Sequence, residues 1–372
     1  MVETRRVLIT GVSRFWGGNL ARRLEADPTV ERIVAVDTKS PTVNLERTDF
    51  VPADIRHSLI GKLLHALDID TVVHAGLIVD PRRAGARTVH ETNVIGTMNL
   101  IAACSAADSP VRKLVVKSST AVYGSEPDDP SLWSETMVRK APARDGFTRD
   151  LDEVEAYVHD FRLRKPEAVV TLLRFANVLG SRRDTPFARL FGLSVVPTVL
   201  GFDPRLQFLH EDDAVRVLEQ ATLDDRPGTF NVAGDGVVLL SQAVAIFGKV
   251  NAPLIPFIAP GLAMAALNRV ATVGLPPHLT RLLQFGRVVD TTALRDRFGA
   301  MEHSTLDTVR EHAKQRWVRA VVEDRAYPNE AELEEFLRSR RVASNGHEKE
   351  QPVGRGRRVA RATPRRRSKA QP

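Results

Sequence analysis

Short runs of β-branched residues alternate with longer helical patterns through the first half of the chain. This alternation indicates parallel strands joined by crossover helices, because a helix is the usual connection between neighbouring parallel strands. Helical periodicity is clearest over residues 17–26 and 93–107. The predicted strands are Val7–Thr10, Ile33–Asp37, Phe50–Ala53, Thr71–Ala75, Leu114–Ser118 and Val169–Arg174. We therefore predict an α/β fold built on a doubly wound parallel sheet.

The regular alternation loosens after Gly180, where proline becomes frequent. We predict a dinucleotide-binding domain over residues 1–180, to whose sheet later segments can return, and a smaller mixed substrate domain over residues 181–344. Residues 345–372 are rich in Arg, Pro, Ala and Gly without an apolar period, which predicts a disordered tail.

The positive charge of the chain is concentrated at its end. The net charge is +7, yet the segment from Val353 onward carries eight cations and no acid, so the remainder is close to neutral. Cys104 is the single cysteine, which excludes an intrachain disulfide and fits a reducing compartment. The N-terminal residues show no targeting signal, and we expect a cytoplasmic protein.

A glycine-rich turn follows the first predicted strand and opens a helix. In this place backbone N–H groups and the positive end of a helix can bind a pyrophosphate, as in Rossmann-type domains. Gly11 supplies the tight turn, Gly17 allows the helix to pack closely, and Arg14 occupies the middle position that often holds glycine. The predicted cofactor-binding residues of this segment are Thr10, Gly11, Arg14, Phe15, Trp16 and Gly17.

Asp37 ends the second predicted strand, about 20 residues after the glycine-rich turn, where an acid binds the adenosine ribose hydroxyls. A carboxylate here repels a 2′-phosphate, which favours NAD and makes NADP the less favoured cofactor. Arg14 leaves that preference open, because a guanidinium near the phosphates can also serve NADP. A solvated turn residue is the alternative interpretation of Asp37.

Several further motifs occur in the order typical of one enzyme family. They are Asn93–Leu100, Ser118–Gly124, Leu173–Gly180, Phe208–Asp213 and Asn231–Gly234. With the glycine-rich turn, they make the chain similar to the NAD-dependent epimerase/dehydratase family of extended short-chain dehydrogenases/reductases, which includes UDP-glucose 4-epimerases. The resemblance runs from about Val7 to Gly299.

The resemblance implies roles for residues outside the glycine-rich turn. The further cofactor-binding residues are Asp54, Ile55, His74, Ala75, Gly76, Asn93 and Ser118, the first two of which meet the adenine. Ser119 stands in the position of the catalytic Ser/Thr. Ser119, Asn177 and His210 are also the predicted substrate-binding residues. From the residue types alone, His74 and His210 also suit packing and hydrogen bonding. The sequence shows no Cys/His cluster typical of a metal site, and we predict none.

The catalytic pair of the family is missing. The family uses Tyr-x-x-x-Lys on one helix face, where the ammonium lowers the pKa of the phenol from about 10. Glu155 fixes the register of this helix, and in that register the tyrosine position holds Phe147 and the lysine position holds Leu151. No Tyr-x-x-x-Lys occurs elsewhere, because the residues four places after Tyr123, Tyr157 and Tyr327 are Pro127, Phe161 and Ala331.

Asp150 lies one turn from Phe147 and is a candidate substitute base, although a solvated carboxylate in the first turn of a helix is the more ordinary interpretation. Dehydratase-like members have an acidic pair where this chain has Thr120 and Ala121, which disfavours dehydration. The resemblance also implies a homodimer formed through the helices near 93–107 and 147–162.

Three functional hypotheses remain from the sequence. The first is an NAD-binding member of the family that lacks Tyr/Lys catalysis and acts by binding. The second is an active epimerase or dehydrogenase on a sugar nucleotide, sterol or lipid-linked substrate, using Ser119 and a substitute base. The third is a nucleic-acid or membrane-associated protein that acts through its basic tail on anionic partners, with the fold as a scaffold and without specific nucleic-acid recognition. The apolar segment 256–267 predicts a core or lid helix, with a hydrophobic substrate groove or shallow membrane contact as the alternatives.

Overall fold

All six predicted strands are present in the structure, a computed structural model that describes residues 5–79, 84–180, 185–254 and 277–324. The apolar segment 256–267 and the basic tail lie outside these described residues. The strands are β1 (Arg5–Thr10), β2 (Val30–Asp37), β3 (Thr48–Pro52), β4 (Thr71–His74), β5 (Lys113–Ser119), β6 (Val169–Phe175), β7 (Asn177–Leu179), β8 (Val195–Val199), β9 (Arg205–Leu206), β10 (Phe208–His210), β11 (Gly228–Val232), β12 (Val238–Leu239) and β13 (Val250–Leu254).

The main sheet has seven parallel strands in the order β11-β6-β5-β4-β1-β2-β3. Its chain order reverses between β1 and β4, so the carboxyl ends of these two strands leave a crevice that suits a ligand. Strand β11 was not among the predicted strands, and it lies in the stretch predicted to form the second domain. The chain therefore returns to the first sheet after residue 180.

Helices connect the parallel strands, as the alternating pattern predicts. They are α1 (Phe15–Leu24), α2 (Leu59–Ala66), α3 (Ala86–His90), α4 (Gly96–Ser105), α5 (Gly146–Arg164), α6 (Pro186–Leu190), α7 (Glu211–Leu223), α8 (Leu240–Ile246), α9 (Pro277–Phe285), α10 (Thr292–Phe298) and α11 (Thr305–Asp324). A π-helical turn, Glu91–Ile95, joins α3 to α4, and a 3-10 turn, Thr120–Tyr123, follows β5. None of the described helices is long and apolar enough to cross a membrane.

Two apolar clusters cover the two faces of the main sheet. The β5 side chains alternate between them, because successive side chains of a strand point to opposite faces. Leu114 and Val116 pack with residues of α2, α4 and α5, whereas Val115 packs with residues of α1, α7 and α10. Burial on both faces explains why these strands read as nearly continuous apolar runs.

A third apolar cluster lies among the shorter elements after residue 180. It joins buried side chains such as Phe187, Phe191 and Leu282 from α6 and α9 with others from α8. Three two-stranded sheets accompany it, in the pairings β10-β7, β12-β9 and β13-β8. The chain divides into two units, Met1–Trp317 and Val318–Pro372, so the predicted boundary at residue 180 lies within the first unit.

We predict that Gly17→Ala lowers the free energy of unfolding by about 1–3 kcal/mol, because the added Cβ would lie 2.6 Å from the backbone oxygen of Gly11. Gly61→Ala in α2 is the matched control, since its Cβ would lie at 3.7 Å from the Cβ of Ala103, an ordinary contact. The control should be neutral or more stable by about 0.5–1 kcal/mol. Urea unfolding measures both, and equal stability of the two variants would contradict the prediction.

Candidate functional site

Three glycines bring the start of α1, the end of β1 and the loop after β4 into backbone contact. Gly11 has a φ of +79°, and a Cβ there would lie 2.4 Å from the Cα of Gly76. A Cβ on Gly17 would lie 2.6 Å from the backbone oxygen of Gly11, in the same turn. The segments can approach this closely only because no side chains separate them, which brings the first turn of α1 to the crevice at the carboxyl edge of the sheet.

The first turn of α1 offers backbone donors to a ligand. Helix α1 starts after Arg14, whose side chain makes no capping hydrogen bond. In contrast, Asp145 caps α5 and Thr185 caps α6 through their side chains. An N-terminus without a side-chain cap presents N–H groups and the positive end of the helix dipole. The donor set and the glycine cradle therefore fit the pyrophosphate of a dinucleotide.

Asp37 fixes the shape of the glycine-rich turn. Its Oδ2 accepts hydrogen bonds from the backbone N–H of Ser13 at 3.0 Å and from the Ser13 hydroxyl at 2.7 Å. Its Oδ1 accepts one from the backbone N–H of Thr38 at 2.7 Å. The structure therefore places the carboxylate beside the turn. Its predicted contact with an adenosine ribose stays a prediction.

A cavity of about 490 Å³ extends from the first turn of α1 to the end of β6 and to α9. The predicted site residues among those that line it are Arg14, Phe15, Trp16, Ser119 and Asn177. Sequence reasoning missed four charged or titratable lining residues, Arg22, Lys117, His278 and Arg287. Among the lining residues that the structure describes, four are basic (Arg14, Arg22, Lys117 and Arg287) and none is acidic. The cavity therefore suits an anionic ligand.

His74 lies at the carboxyl end of β4, buried in a chain of hydrogen bonds. Its Nδ1 lies 2.7 Å from the Thr10 hydroxyl, and its Nε2 lies 2.9 Å from the Thr97 hydroxyl. The Thr97 hydroxyl donates to the carbonyl of Asn93, so Nε2 is the donor to Thr97 and Nδ1 accepts from Thr10. Burial, with a smaller contribution from nearby Lys117, lowers the pKa of His74 to about 4. The neutral ring thus joins β1, β4 and α4.

The other predicted residues on this side of the crevice position backbone segments. The Asn93 side chain accepts from the N–H of Ile78 at 2.8 Å and donates to its carbonyl at 3.0 Å, which holds the loop after β4 against the cavity. Ile55 packs against Gly96, where a Cβ would lie 2.8 Å from it. Asp54 forms an ion pair with Arg56, whose hydrogen bond is the main cause of the lowered pKa of Asp54.

The predicted catalytic strand end is held by an ion pair whose side chains are 13% and 11% exposed. Glu155 of α5 pairs with Arg174 of β6 at 2.6 Å and accepts a hydrogen bond from Ser118 at 2.6 Å. Arg174 also donates to the hydroxyl of Tyr123 at 2.7 Å. The next residue, Ser119, accepts from the N–H of Ala121 at 3.2 Å and caps the 3-10 turn. Ser118 therefore faces α5, whereas Ser119 lines the cavity.

Tyr123 is not poised to act as a base. It is 2% exposed, and its hydroxyl donates to the side-chain oxygen of Asn231 at 2.8 Å. Burial raises the pKa of Tyr123, although Arg174 opposes the effect. Its ring stacks on Trp133 with centroids 4.8 Å apart. The residue therefore connects the turn after β5 with β11.

The two positions of the missing catalytic pair are packed with apolar side chains. Phe147 is 8% exposed and Leu151 is 1% exposed, both in the cluster under α5. The Phe147 ring lies 4.9 Å from the ring of His278, measured between centroids. Leu151 has no charge, and Phe147 has no exchangeable proton, so neither side chain can take part in proton transfer.

Asp150 forms a hydrogen bond with His90 of α3. Its Oδ1 lies 2.7 Å from Nδ1 of His90, and this hydrogen bond is the largest cause of the raised pKa of His90. Both residues line a second cavity of about 410 Å³, beside Phe147. Among the described residues, Val79 and His278 line both this cavity and the larger one. Of these two cavities, Ser119 lines the larger and Asp150 the second, and a role of Asp150 as a substitute base stays a prediction.

His210 lies outside the described lining of the larger cavity and caps α7. Its ring stacks on His303 with centroids 3.9 Å apart, and one nitrogen of each ring, with a carboxylate oxygen of Glu311, could hold a metal ion. Nδ1 of His210 accepts from the N–H of Asp212 at 3.3 Å, and its Nε2 lies 3.7 Å from a carboxylate oxygen of Glu311. The ring therefore connects the start of α7 with α11.

We predict that the stability contributed by neutral His74 is lost on acidification. Its folded-state pKa of about 4 lies below the unfolded value of about 6.5, so the contribution is complete above pH 6.5 and disappears as the pH falls towards 4. The stability difference between wild type and His74→Gln should shrink by on the order of 3 kcal/mol over this interval. Urea unfolding at several pH values measures it. Exposed His57→Gln is the control, and a pH-independent difference for His74→Gln would refute the prediction.

The sequence matches a known protein family, and the fold resembles those of solved structures. A family model for the NAD dependent epimerase/dehydratase family matches residues 7–233. An uncharacterized protein of Mycobacterium tuberculosis is 40% identical over 302 residues, covering 79% of each chain. The structure of UDP-glucose 4-epimerase from Thermotoga maritima with UDP-glucose superposes with a TM-score of 0.63 at 18% identity, covering 85% of this chain and 99% of that one. UDP-glucuronic acid 4-epimerase from Bacillus cereus, in complex with NAD, gives a TM-score of 0.62 at 18% identity, covering 84% and 99%. The chain described here belongs to the NAD-dependent epimerase/dehydratase family.

Proposed function

We propose that this protein binds an NAD-type dinucleotide in the larger cavity and acts mainly through binding, as a sensor or assembly partner, without the Tyr/Lys chemistry of its family. One observation carries the proposal. The glycine cradle and uncapped start of α1 remain built for a pyrophosphate, whereas Phe147 and Leu151 fill the catalytic positions within an apolar cluster. The Bacillus cereus relative in complex with NAD supports the choice of cofactor class.

NAD is proposed over NADP because of Asp37. Its carboxylate is fixed beside the turn by Ser13, and a 2′-phosphate placed next to it would be repelled. Arg14 lines the cavity and supplies charge to phosphates of either cofactor, so the preference depends on Asp37.

The test of binding is a titration of the purified protein with NADH, followed by tryptophan fluorescence. Wild type should bind. Asp37→Ala should raise the Kd by about 10- to 100-fold, which corresponds to the free energy lost when hydrogen bonds to a charged group are removed. Exposed Asp49→Ala on β3 is the matched control and should leave the Kd unchanged. Thermal unfolding verifies that each variant is folded. A wild-type protein that does not bind NADH would refute the proposed function.

The loss of catalysis is tested separately. A panel of sugar nucleotides, sterols and lipid-linked alcohols, incubated with the protein and NAD, should leave the absorbance of the nicotinamide unchanged. Epimerisation regenerates the cofactor, so the sugar nucleotides are also analysed for their epimers by chromatography, and none should form.

A second candidate function is supported by one contact. His278 lines the cavity together with Ser119 and touches Phe147, so a titratable ring lies next to the position of the absent tyrosine. An active, atypical epimerase or dehydrogenase could use this pair on a sugar nucleotide, sterol or lipid-linked substrate. Steady turnover that is abolished by Ser119→Ala and by His278→Ala would establish this function in place of the binding role.

A homodimer through α4 and α5 remains part of the proposal. Both helices keep apolar side chains at the surface, with Met98 37% exposed and Leu163 68% exposed. Sedimentation analysis of the purified protein measures the oligomeric state directly.

A further inference from the structure

We propose that Lys117 binds the pyrophosphate of the dinucleotide from the side of the sheet, as a charged contact in addition to the backbone donors of α1. The inference rests on the proposed function, because it names a residue that would hold the same ligand. It concerns a side chain for which the family resemblance implies no role.

Lys117 lies close to the start of α1. It is on β5, is 3% exposed and lines the larger cavity. Its Nζ lies 5.8 Å from the ring centroid of Trp16, the second residue of α1, and 5.4 Å from that of Phe175, at the end of β6. The ammonium is therefore held beside the helix end that the glycine cradle brings to the crevice.

The two aromatic rings fix the position of this ammonium. Trp16 and Phe175 meet edge to face, with centroids 5.8 Å apart, and both lie within cation–π range of Lys117. Such contacts restrict a side chain that is otherwise flexible, and they compensate part of the cost of removing an ammonium from water. A restricted cation loses little conformational entropy when an anion binds.

Its surroundings favour an anion. The lining residues that the structure describes include Arg14 and Arg22 from α1 and no carboxylate. His74, the titratable neighbour whose pKa Lys117 lowers, is neutral and has both ring nitrogens engaged with hydroxyls. A diphosphate is the part of a dinucleotide that carries the charge, so it is the group that this cation matches.

The position also separates Lys117 from the lysine that the family uses. Leu151, in that lysine position, packs in the cluster on the α5 face of the sheet, whereas Trp16 and Phe175 belong to the cluster on the α1 face. Lys117 therefore does not restore the lost catalytic pair. It places a buried charge on the opposite face, where the diphosphate would lie.

The experiment compares three ligands on wild type and Lys117→Met. Methionine keeps the length and fills the space between the rings without charge. Titration calorimetry with NADH and ADP-ribose should show the Kd of both rise by about 10- to 100-fold, whereas adenosine, which has no phosphate, should bind as it does to wild type. Lys117→Arg should retain most of the affinity. Added salt should reduce the difference between wild type and Lys117→Met, because salt screens a charge contact.

Lys113→Met is the matched control. Lys113 is on the same strand and also 3% exposed, it pairs with Asp225 at 3.1 Å, and, unlike Lys117, it is not among the residues that line the cavity. Circular dichroism and thermal unfolding verify the fold of each variant. Unchanged affinity of Lys117→Met for NADH and ADP-ribose would overturn the inference and leave the proposed function intact. An equal loss for adenosine would also overturn it, as would a loss for NADH alone. Failure of wild type to bind NADH would instead refute the proposed function.

Discussion

The close backbone approach of Gly11 to Gly17 and Gly76 is the constraint on which the candidate site depends. It allows α1 to begin directly at the crevice where the order of the parallel strands reverses. The hydrogen bonds from Ser13 to Asp37 then fix the turn relative to β2. Since these interactions use backbone and one carboxylate, the cradle is independent of the side chains on α5. The geometry of the cradle therefore does not depend on which residues occupy positions 147 and 151.

A second constraint explains why α5 stays in place without catalytic residues. Burial would lower the pKa of Arg174, but the hydrogen bond and charge of Glu155 raise it, so Arg174 stays charged within the protein. Removing either partner would leave an uncompensated charge, which costs about 3–5 kcal/mol. The pair thus holds α5 against β6 while Phe147 and Leu151 pack below it. Glu155 is a structural residue, and its presence does not imply catalysis.

The sequence predicted the parts of the fold that follow from local pattern. Strands such as Val169–Phe175 were recognisable because both faces are mostly buried and the run is mainly apolar and β-branched. Strand β11 was not predicted, because a five-residue segment that starts with glycine shows little hydrophobic pattern. Its strand conformation is determined by pairing with β6. Arg14, from the glycine-rich turn, and Ser119, from the resemblance, line the cavity, but their predicted roles stay predictions, and Lys117, His278 and Arg287 converge on the cavity from three distant segments. Such convergence depends on tertiary packing and leaves no signal in spacing.

The two faces of the sheet hold different parts of the proposed function. Phe147 and Leu151 pack on the α5 face, whereas Trp16 and Phe175, beside Lys117, pack on the α1 face. A substitution on one face changes the packing of that face first, because successive side chains of a strand point to opposite faces. Under the proposed function, the packing around Trp16 therefore does not depend on which residues occupy positions 147 and 151.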